Sequence, residues 1–132
     1  MCVGVLEKMK ILIGVDGSPN SERALAEAIN IARHFSGSIK VITVFNKGED
    51  KKAEQILGGA KHSCEEEEIE CAAISIMGSN PARALEHIAK DGNFDLIVVG
   101  NRGLGSAASI LLGSVSRQIV ANAECNVLVV KK

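Results

Sequence analysis

Aromatic residues are nearly absent from this 132-residue chain, which contains three Phe and no Trp or Tyr. Hydrophobic residues still make up 46% of the sequence, so a core is feasible and must be built from aliphatic side chains. The scarcity argues against a single-stranded nucleic-acid binder, because such proteins stack bases on aromatic rings.

The sequence also lacks a strong charge of either sign. Its 15 Lys and Arg residues nearly balance 16 Asp and Glu residues, for a formal net charge of −1. The basic residues are scattered, so no electrostatic footprint for DNA or RNA is visible. The longest run of like charge, residues 65–68, is acidic and is interpreted as a solvated helix face.

The first ten residues have no long apolar stretch, so a secretory signal is not expected, and the sequence contains no apolar run of membrane-spanning length. The four cysteines have neither CxxC spacing nor a dense framework, and with the three histidines they form no metal-ligand pattern. Reduced thiols in a cytoplasmic protein are the expected interpretation. The length predicts a single domain over residues 1–132, with residues 1–9 as an N-terminal extension.

Short apolar runs alternate with helical patterns along the chain. Strands are predicted at residues 11–15, 39–45, 71–77, 95–99 and 126–130. Helices are predicted after Ser18, over 51–70, from 81 to about 90 and over 114–122, with Gly37 ending the first. This alternation predicts an α/β fold, a parallel sheet with helices on both faces.

Strand order follows from the apolar content of each strand. The first and fourth are the most continuously apolar and should be central, whereas the third is expected at an edge. The order 3-2-1-4-5 satisfies this with right-handed crossovers, giving a doubly wound sheet that reverses between strands one and four. Because ligands bind outside the carboxyl ends of strands at such a reversal, the candidate site comprises Asp16 to Ser18 and the segment beginning at Gly100.

The segment after strand four is rich in glycine, with Gly100, Gly103, Gly105 and Gly113. Glycine lets backbone amides approach phosphate oxygens closely, and Gly113-Ser114 at a helix N-terminus adds unpaired N–H groups. The alternative is a flexible connection with a serine cap, which the position at the reversal disfavours. Arg102 either neutralises phosphate charge or is a solvent-exposed loop arginine.

Two common phosphate-binding motifs are excluded. The segment has no GxxxxGK[ST] pattern and supplies no Lys for the β and γ phosphates. The dinucleotide fingerprint belongs after the first strand, where this sequence reads DGSPNS.

The spacing Gly100-x2-Gly103-x9-Gly113-Ser114 resembles the G-2x-G-9x-G(S/T) motif of ATP-binding universal stress proteins. The resemblance covers residues 10–132, since ILIGVDGS, FDLIVVG and VLVVKK are similar to the family's first, fourth and last strands. The chain departs from many members at Asn126, where they have Pro, and in the short segment NKGEDKK. A short segment there implies weaker or faster-exchanging nucleotide binding.

The resemblance implies that ATP, with Mg²⁺, is the ligand. Asp16 matches the family's acidic nucleotide-contacting position, where its carboxylate would bond ribose hydroxyls or a bridging Mg²⁺; an Asx-turn is the alternative. Val44 matches the residue whose backbone lies beside adenine, Gly100 would contact the ribose, and the motif residues would hold the phosphates. The candidate binding residues are Val15, Asp16, Gly17, Ser18, Val44, Val99, Gly100, Arg102, Gly103, Gly113, Ser114 and Val115.

The resemblance favours a small regulator whose ATP occupancy controls conformation or partner binding. The rival is a slow ATPase or nucleotide-transferring enzyme of the same fold, for which only Asp16, Arg102 and Ser114 are catalytic candidates. The first turn lacks the SGGxDS pattern of pyrophosphatase-type relatives, so no catalytic residue is assigned. A non-nucleotide branch of the family, acting only through partners, is disfavoured by the intact glycine motif.

The last predicted strand, residues 126–130, is apolar on both faces although it is assigned to a sheet edge. Soluble monomers normally protect such an edge. A homodimer that pairs this strand with its copy is therefore expected, as is usual in the similar family. The alternative is that a helix or the Lys131-Lys132 end covers the strand.

Overall fold

The computed structural model describes residues 8–101 and 113–131. Strands and helices alternate throughout these ranges, as the sequence predicts. The elements are β1 (Lys10–Gly14), α1 (Pro19–Phe35), β2 (Ser38–Phe45), α2 (Asp50–Glu66), β3 (Cys71–Met77), α3 (Pro81–Asp91), β4 (Leu96–Gly100), α4 (Ser114–Asn122) and β5 (Asn126–Val130).

The five strands form one parallel sheet in the order β3-β2-β1-β4-β5, which confirms the predicted topology. The two central strands are the most buried, because helices cover both of their faces: Leu12 of β1 and Ile97 of β4 are both 0% exposed. The strand order reverses between β1 and β4, so a crevice opens at their carboxyl ends.

The core lies in two layers on opposite faces of the sheet. Ile11 and Ile13 of β1 pack with α1 and α2, whereas Leu12 points to the opposite face and packs with α3 and α4. This division follows from the two-residue side-chain period of a strand. Almost all of the packing is aliphatic, as the composition requires.

Helix α1 begins as predicted but ends differently. The Ser18 hydroxyl accepts a hydrogen bond from the Ser21 N–H at 3.2 Å, and Pro19 is the first helical residue. At the other end Ser36, with φ of 53°, is the left-handed residue, so the prediction that Gly37 ends the helix is wrong. Gly37 is required for packing instead, since a Cβ there would lie 2.8 Å from the Met9 carbonyl oxygen.

Helix α2 is shorter than the predicted 51–70. It runs uninterrupted through Gly58 and Gly59 and stops at Glu66. The chain then turns, because Glu68 has a left-handed φ of 59° and the Ile69 N–H returns to the Cys64 carbonyl at 2.9 Å. The acidic run 65–68 therefore straddles the helix end, and only its first half lies on a helix face.

Helix α3 opens with Pro81, as predicted, and Asn80 caps it by accepting the Arg83 N–H at 3.0 Å.

Across the two described ranges, no helix has both the length and the apolar character needed to cross a membrane.

Candidate functional site

A cleft of about 290 Å³ lies at the carboxyl ends of β1 and β4, where the topology predicts a ligand site. The turn after β1, the end of β2 and the first turns of α3 and α4 surround it. Many of the predicted site residues line this cleft: Val15, Asp16, Ser18, Val44, Val99, Gly100 and Val115.

The remaining predicted residues are placed differently. Gly17 lines a separate groove between α1 and α2 and has a left-handed φ of 82°, so the turn geometry itself accounts for glycine there. Gly113 and Ser114 directly precede Val115 at the start of α4 but do not themselves line the cleft. Arg102 and Gly103 lie outside the described residues.

The turn after β1 holds Asp16 at the cleft by a short network of hydrogen bonds. Its Oδ1 accepts the Ser18 N–H at 2.9 Å, which is an Asx-turn. The buried Ser21 hydroxyl accepts the Asp16 N–H at 3.3 Å and donates to the Ser18 carbonyl at 3.0 Å. The Asx-turn alternative is thus observed. It does not prevent Asp16 from also contacting a ligand, because a carboxylate accepts several hydrogen bonds.

Gly100 connects the cleft to the packing of α1. A Cβ at Gly100 would lie 2.7 Å from the Asn20 carbonyl oxygen, so close packing between β4 and α1 requires glycine. The Gly100 carbonyl accepts the Ser116 hydroxyl at 3.0 Å, which ties the start of α4 to β4. The predicted ribose contact at Gly100 stays a prediction.

The N-terminus of α4 faces the cleft through Val115 and Ser116. Gly113 is the N-cap residue in an extended conformation (φ −67°, ψ 167°), and it offers no side-chain cap to the first-turn N–H groups. Such N–H groups, together with the helix dipole, favour an anion. This end of the cleft is therefore suited to phosphate.

Several cleft residues were not singled out from the sequence. Those on the predicted strand ends and turns, such as Asn46 and Ser79, could have been found because they follow β2 and β3 at the same edge of the sheet. Leu85 reaches the cleft from the second turn of α3, and only the packing of that helix reveals it. The unpredicted lining residues are Gly14, Asn20, Ser21, Ile42, Asn46, Gly78, Ser79, Pro81, Leu85 and Ser116.

One wall of the cleft is apolar. Ile42 is buried, Val44 is half-buried, and Leu85 closes the wall from α3. The cleft thus combines an apolar wall with a helix N-terminus that favours anions. A ligand that combines an apolar part with a phosphate matches both features.

The histidines lie away from the cleft, as predicted. His62 and His87 each lie near an acidic residue one turn along their own helix, at 3.5 Å and 3.1 Å, and His34 contacts the Asn30 carbonyl. In the part of the chain that the structure describes, no three His, Cys, Asp or Glu side chains converge as metal ligands would.

The family model described as "Universal stress protein family" matches residues 8–131. A universal stress protein of Thermus aquaticus is 33% identical to this chain, covering 92% of this chain and 97% of its own length. A universal stress protein solved in complex with cAMP is 29% identical, with a TM-score of 0.80 over 94% of this chain and 97% of its own. One from Archaeoglobus fulgidus, solved in complex with dAMP, is 25% identical, with a TM-score of 0.77 over 93% of this chain and 98% of its own.

Proposed function

Because this chain belongs to the universal stress protein family, we propose that it binds ATP in the cleft at the carboxyl ends of β1 and β4. Nucleotide occupancy then controls the conformation of this small regulator or its choice of protein partner. The observation that carries the proposal is the cleft itself, which places an apolar wall beside the N-terminus of α4 at the point where the strand order reverses.

The adenine base is assigned to the apolar wall formed by Ile42, Val44 and Leu85. The phosphates are assigned to the first turn of α4, at Gly113, Ser114 and Val115, whose N–H groups favour anions. Two similar proteins solved with cAMP and with dAMP support an adenine nucleotide as the ligand class.

We assign to the Asp16 carboxylate an interaction with the Mg²⁺ ion that would bind together with ATP. Its carboxylate is exposed at the cleft, and Oδ1 already holds the turn through the Ser18 N–H. Mg²⁺ prefers oxygen ligands and usually binds through one or two carboxylates together with substrate phosphates. When bound, the ion would neutralise phosphate charge that would otherwise repel Asp16.

We assign the protein to binding rather than catalysis. Within the described residues, no histidine and no lysine lines the cleft, and Asp16 is its only acidic side chain. Hydrolysis needs groups that position water and stabilise developing charge. A slow ATPase or nucleotide-transferring activity is the alternative, and phosphate release from Mg-ATP at saturating protein measures it directly.

Calorimetric titration of nucleotide-stripped protein with Mg-ATP tests the proposal. We expect saturable binding at one site per chain, and weaker binding of the nucleoside adenosine, which lacks the phosphates that α4 would hold. Folded protein that takes up neither compound contradicts the proposal. Repeating the titration with cAMP and AMP ranks the adenine nucleotides.

We also propose that the protein is a single domain and that it lies in the cytoplasm. We further propose that two copies form a homodimer through β5. This strand is at the sheet edge, and Val127, Leu128, Val129 and Val130 are all only partly buried in one chain. Pairing with a second copy across a two-fold axis would give the edge backbone N–H and C=O groups of β5 hydrogen-bond partners and would cover these side chains.

A further inference from the structure

A groove of about 850 Å³ lies between α1 and α2, on the face of the sheet opposite α3 and α4. Leu25 and Ile29 of α1 and Ile56 of α2 give the groove an apolar floor. Along α1 it extends from Glu22 to Arg33, which at the rise of a helix is about 17 Å. The groove is therefore long enough to hold about three turns of another helix.

Small residues leave the middle of the groove open. Ala26 of α1 and Gly59 and Ala60 of α2 line it, and a Cβ at Gly59 would meet no described atom within 4 Å. Glycine inside a helix costs stability relative to alanine, and no contact among the described residues requires it there. Because glycine lets another backbone approach closely, a helix docked in the groove explains the residue type.

The charged side chains along the groove are mostly acidic. Glu22 lies in the first turn of α1, and Glu66 and Glu67 lie at the opposite end of the groove. Among the described lining residues the one guanidinium, that of Arg33, is paired with Glu67 and also donates to Asn30. The groove therefore attracts basic side chains and repels acidic ones.

The groove shares a wall with the nucleotide cleft. Val15 and Ser21 line both, so the turn between β1 and α1 separates the two. On the groove side, a Cβ at Gly17 would lie 3.2 Å from Ile56 Cγ1, so the turn packs against α2. On the cleft side, the Ser21 hydroxyl accepts the Asp16 N–H at 3.3 Å. An occupant of the groove therefore touches the turn that positions Asp16.

We propose that this groove is a partner-binding surface and that its occupant is an amphipathic helix of another protein, with lysine or arginine beside its apolar face. The apolar side chains, spaced three or four residues apart, contact the floor, and the basic side chains reach Glu22, Glu66 and Glu67. The link to ATP rests on the proposed function, since nucleotide in the cleft acts on the shared turn. By linkage, the helix and ATP change each other's affinity by the same factor.

Two synthetic peptides of about 12 residues, or three helical turns, test the groove by fluorescence anisotropy with full-length protein and no nucleotide. Both peptides carry leucine at helical spacing, and they differ only in having lysine or glutamate beside the leucine face. We expect the lysine peptide to bind saturably and the glutamate peptide to bind roughly tenfold more weakly or worse. Equal binding, tighter binding of the glutamate peptide, or binding of neither would overturn the proposal.

Gly59→Arg and Gly58→Arg form a matched pair that locates the peptide. Both positions lie in α2 with no described atom within 4 Å of an added Cβ, but of the two only Gly59 lines the groove. Gly59→Arg should weaken binding of the lysine peptide about tenfold or more, because the new side chain fills the groove and repels lysine. Gly58→Arg should leave binding unchanged, and equal effects of the two substitutions contradict the proposed site. Circular dichroism checks folding, and Ala26→Arg on the facing wall replaces Gly59→Arg if that variant does not fold.

Saturating Mg-ATP tests the coupling between groove and cleft. We expect the affinity for the lysine peptide to change about fivefold or more. An unchanged affinity in protein that binds ATP by calorimetry overturns the coupling, while the measurement without nucleotide still decides the groove. Protein that binds the peptide but not ATP contradicts the proposed function and leaves the groove assignment standing.

Discussion

Gly100 lies where the end of β4 packs against the first turn of α1. A methyl group there would meet the backbone of Asn20 at 2.7 Å for the oxygen and 2.9 Å for the carbonyl carbon, and backbone cannot move aside as a flexible side chain can. The same residue accepts the Ser116 hydroxyl and lines the cleft. Fold and site therefore depend on one small residue.

Gly100→Ala is accordingly expected to destabilise the protein by about 1–3 kcal/mol through overpacking. Urea unfolding followed by circular dichroism measures the change in the free energy of unfolding. A variant as stable as the parent would show that β4 and α1 do not approach so closely.

At the residue scale, the sequence predicts where a residue lies better than it predicts why that residue type is required there. Asp16 could be placed at the site because it follows a central strand where the strand order reverses, and Val44 because the resemblance to the family implies a nucleotide contact there. Leu85 could not, since its contribution depends on how α3 packs. Glycine at position 100 suggested an approach to ligand, whereas the atoms that actually crowd it belong to Asn20.

At the scale of an element, α2 contains two adjacent glycines with no apparent packing role. A Cβ at Gly58 or Gly59 would meet no atom within 4 Å. Glycine in a helix interior is less favourable than alanine by about 0.8–1.0 kcal/mol. The helix therefore forms because its buried face, with Ala53, Ala60 and Cys64, packs on the sheet.

Gly59→Ala should stabilise the protein by about 0.5–1 kcal/mol, and it is the counterpart of Gly100→Ala. The same urea unfolding experiment compares both substitutions with the parent. If Gly59→Ala instead destabilises the protein, the groove between α1 and α2 requires that position 59 carry no side chain.

Helix starts were easier to predict than helix ends. Ser18-Pro19 and Asn80-Pro81 mark two helix starts locally, through a capping side chain and the fixed φ of proline. The end of α2 has no such local signal, because the glutamates after it are adequate helix formers. The helix stops where Ile69 must turn into the core to begin the approach to β3, which is a tertiary requirement.

For the whole molecule, the topology could be predicted because β1 and β4 are continuously apolar and had to be central. The oligomeric state could not be predicted in the same way, since an apolar edge strand shows only that something must cover the edge and not what covers it. In β5 the Val130 carbonyl accepts the Asn101 N–H, so Val130 directs its backbone toward β4. The backbone groups of Val129 therefore point to the open edge.

Val129→Pro should convert the proposed dimer to a monomer, because it removes an edge N–H while leaving the pairing with β4 intact. Val129→Ala is the matched control, which shortens the side chain but keeps the N–H. Sedimentation equilibrium should give twice the chain mass for the parent and the alanine variant. A monomeric parent would contradict assembly through β5.

The central claim, that the N-terminus of α4 holds the phosphates of ATP, is tested most directly by calorimetric titration of Gly113→Asp and Gly113→Asn with Mg-ATP. Gly113 is the N-cap residue with an extended backbone, and Asp and Asn are equally good N-caps, so both variants should fold. Only Asp adds a negative charge beside the phosphates. We predict that the parent and Gly113→Asn bind and that Gly113→Asp loses binding; equal binding by the Asp and Asn variants would contradict the claim.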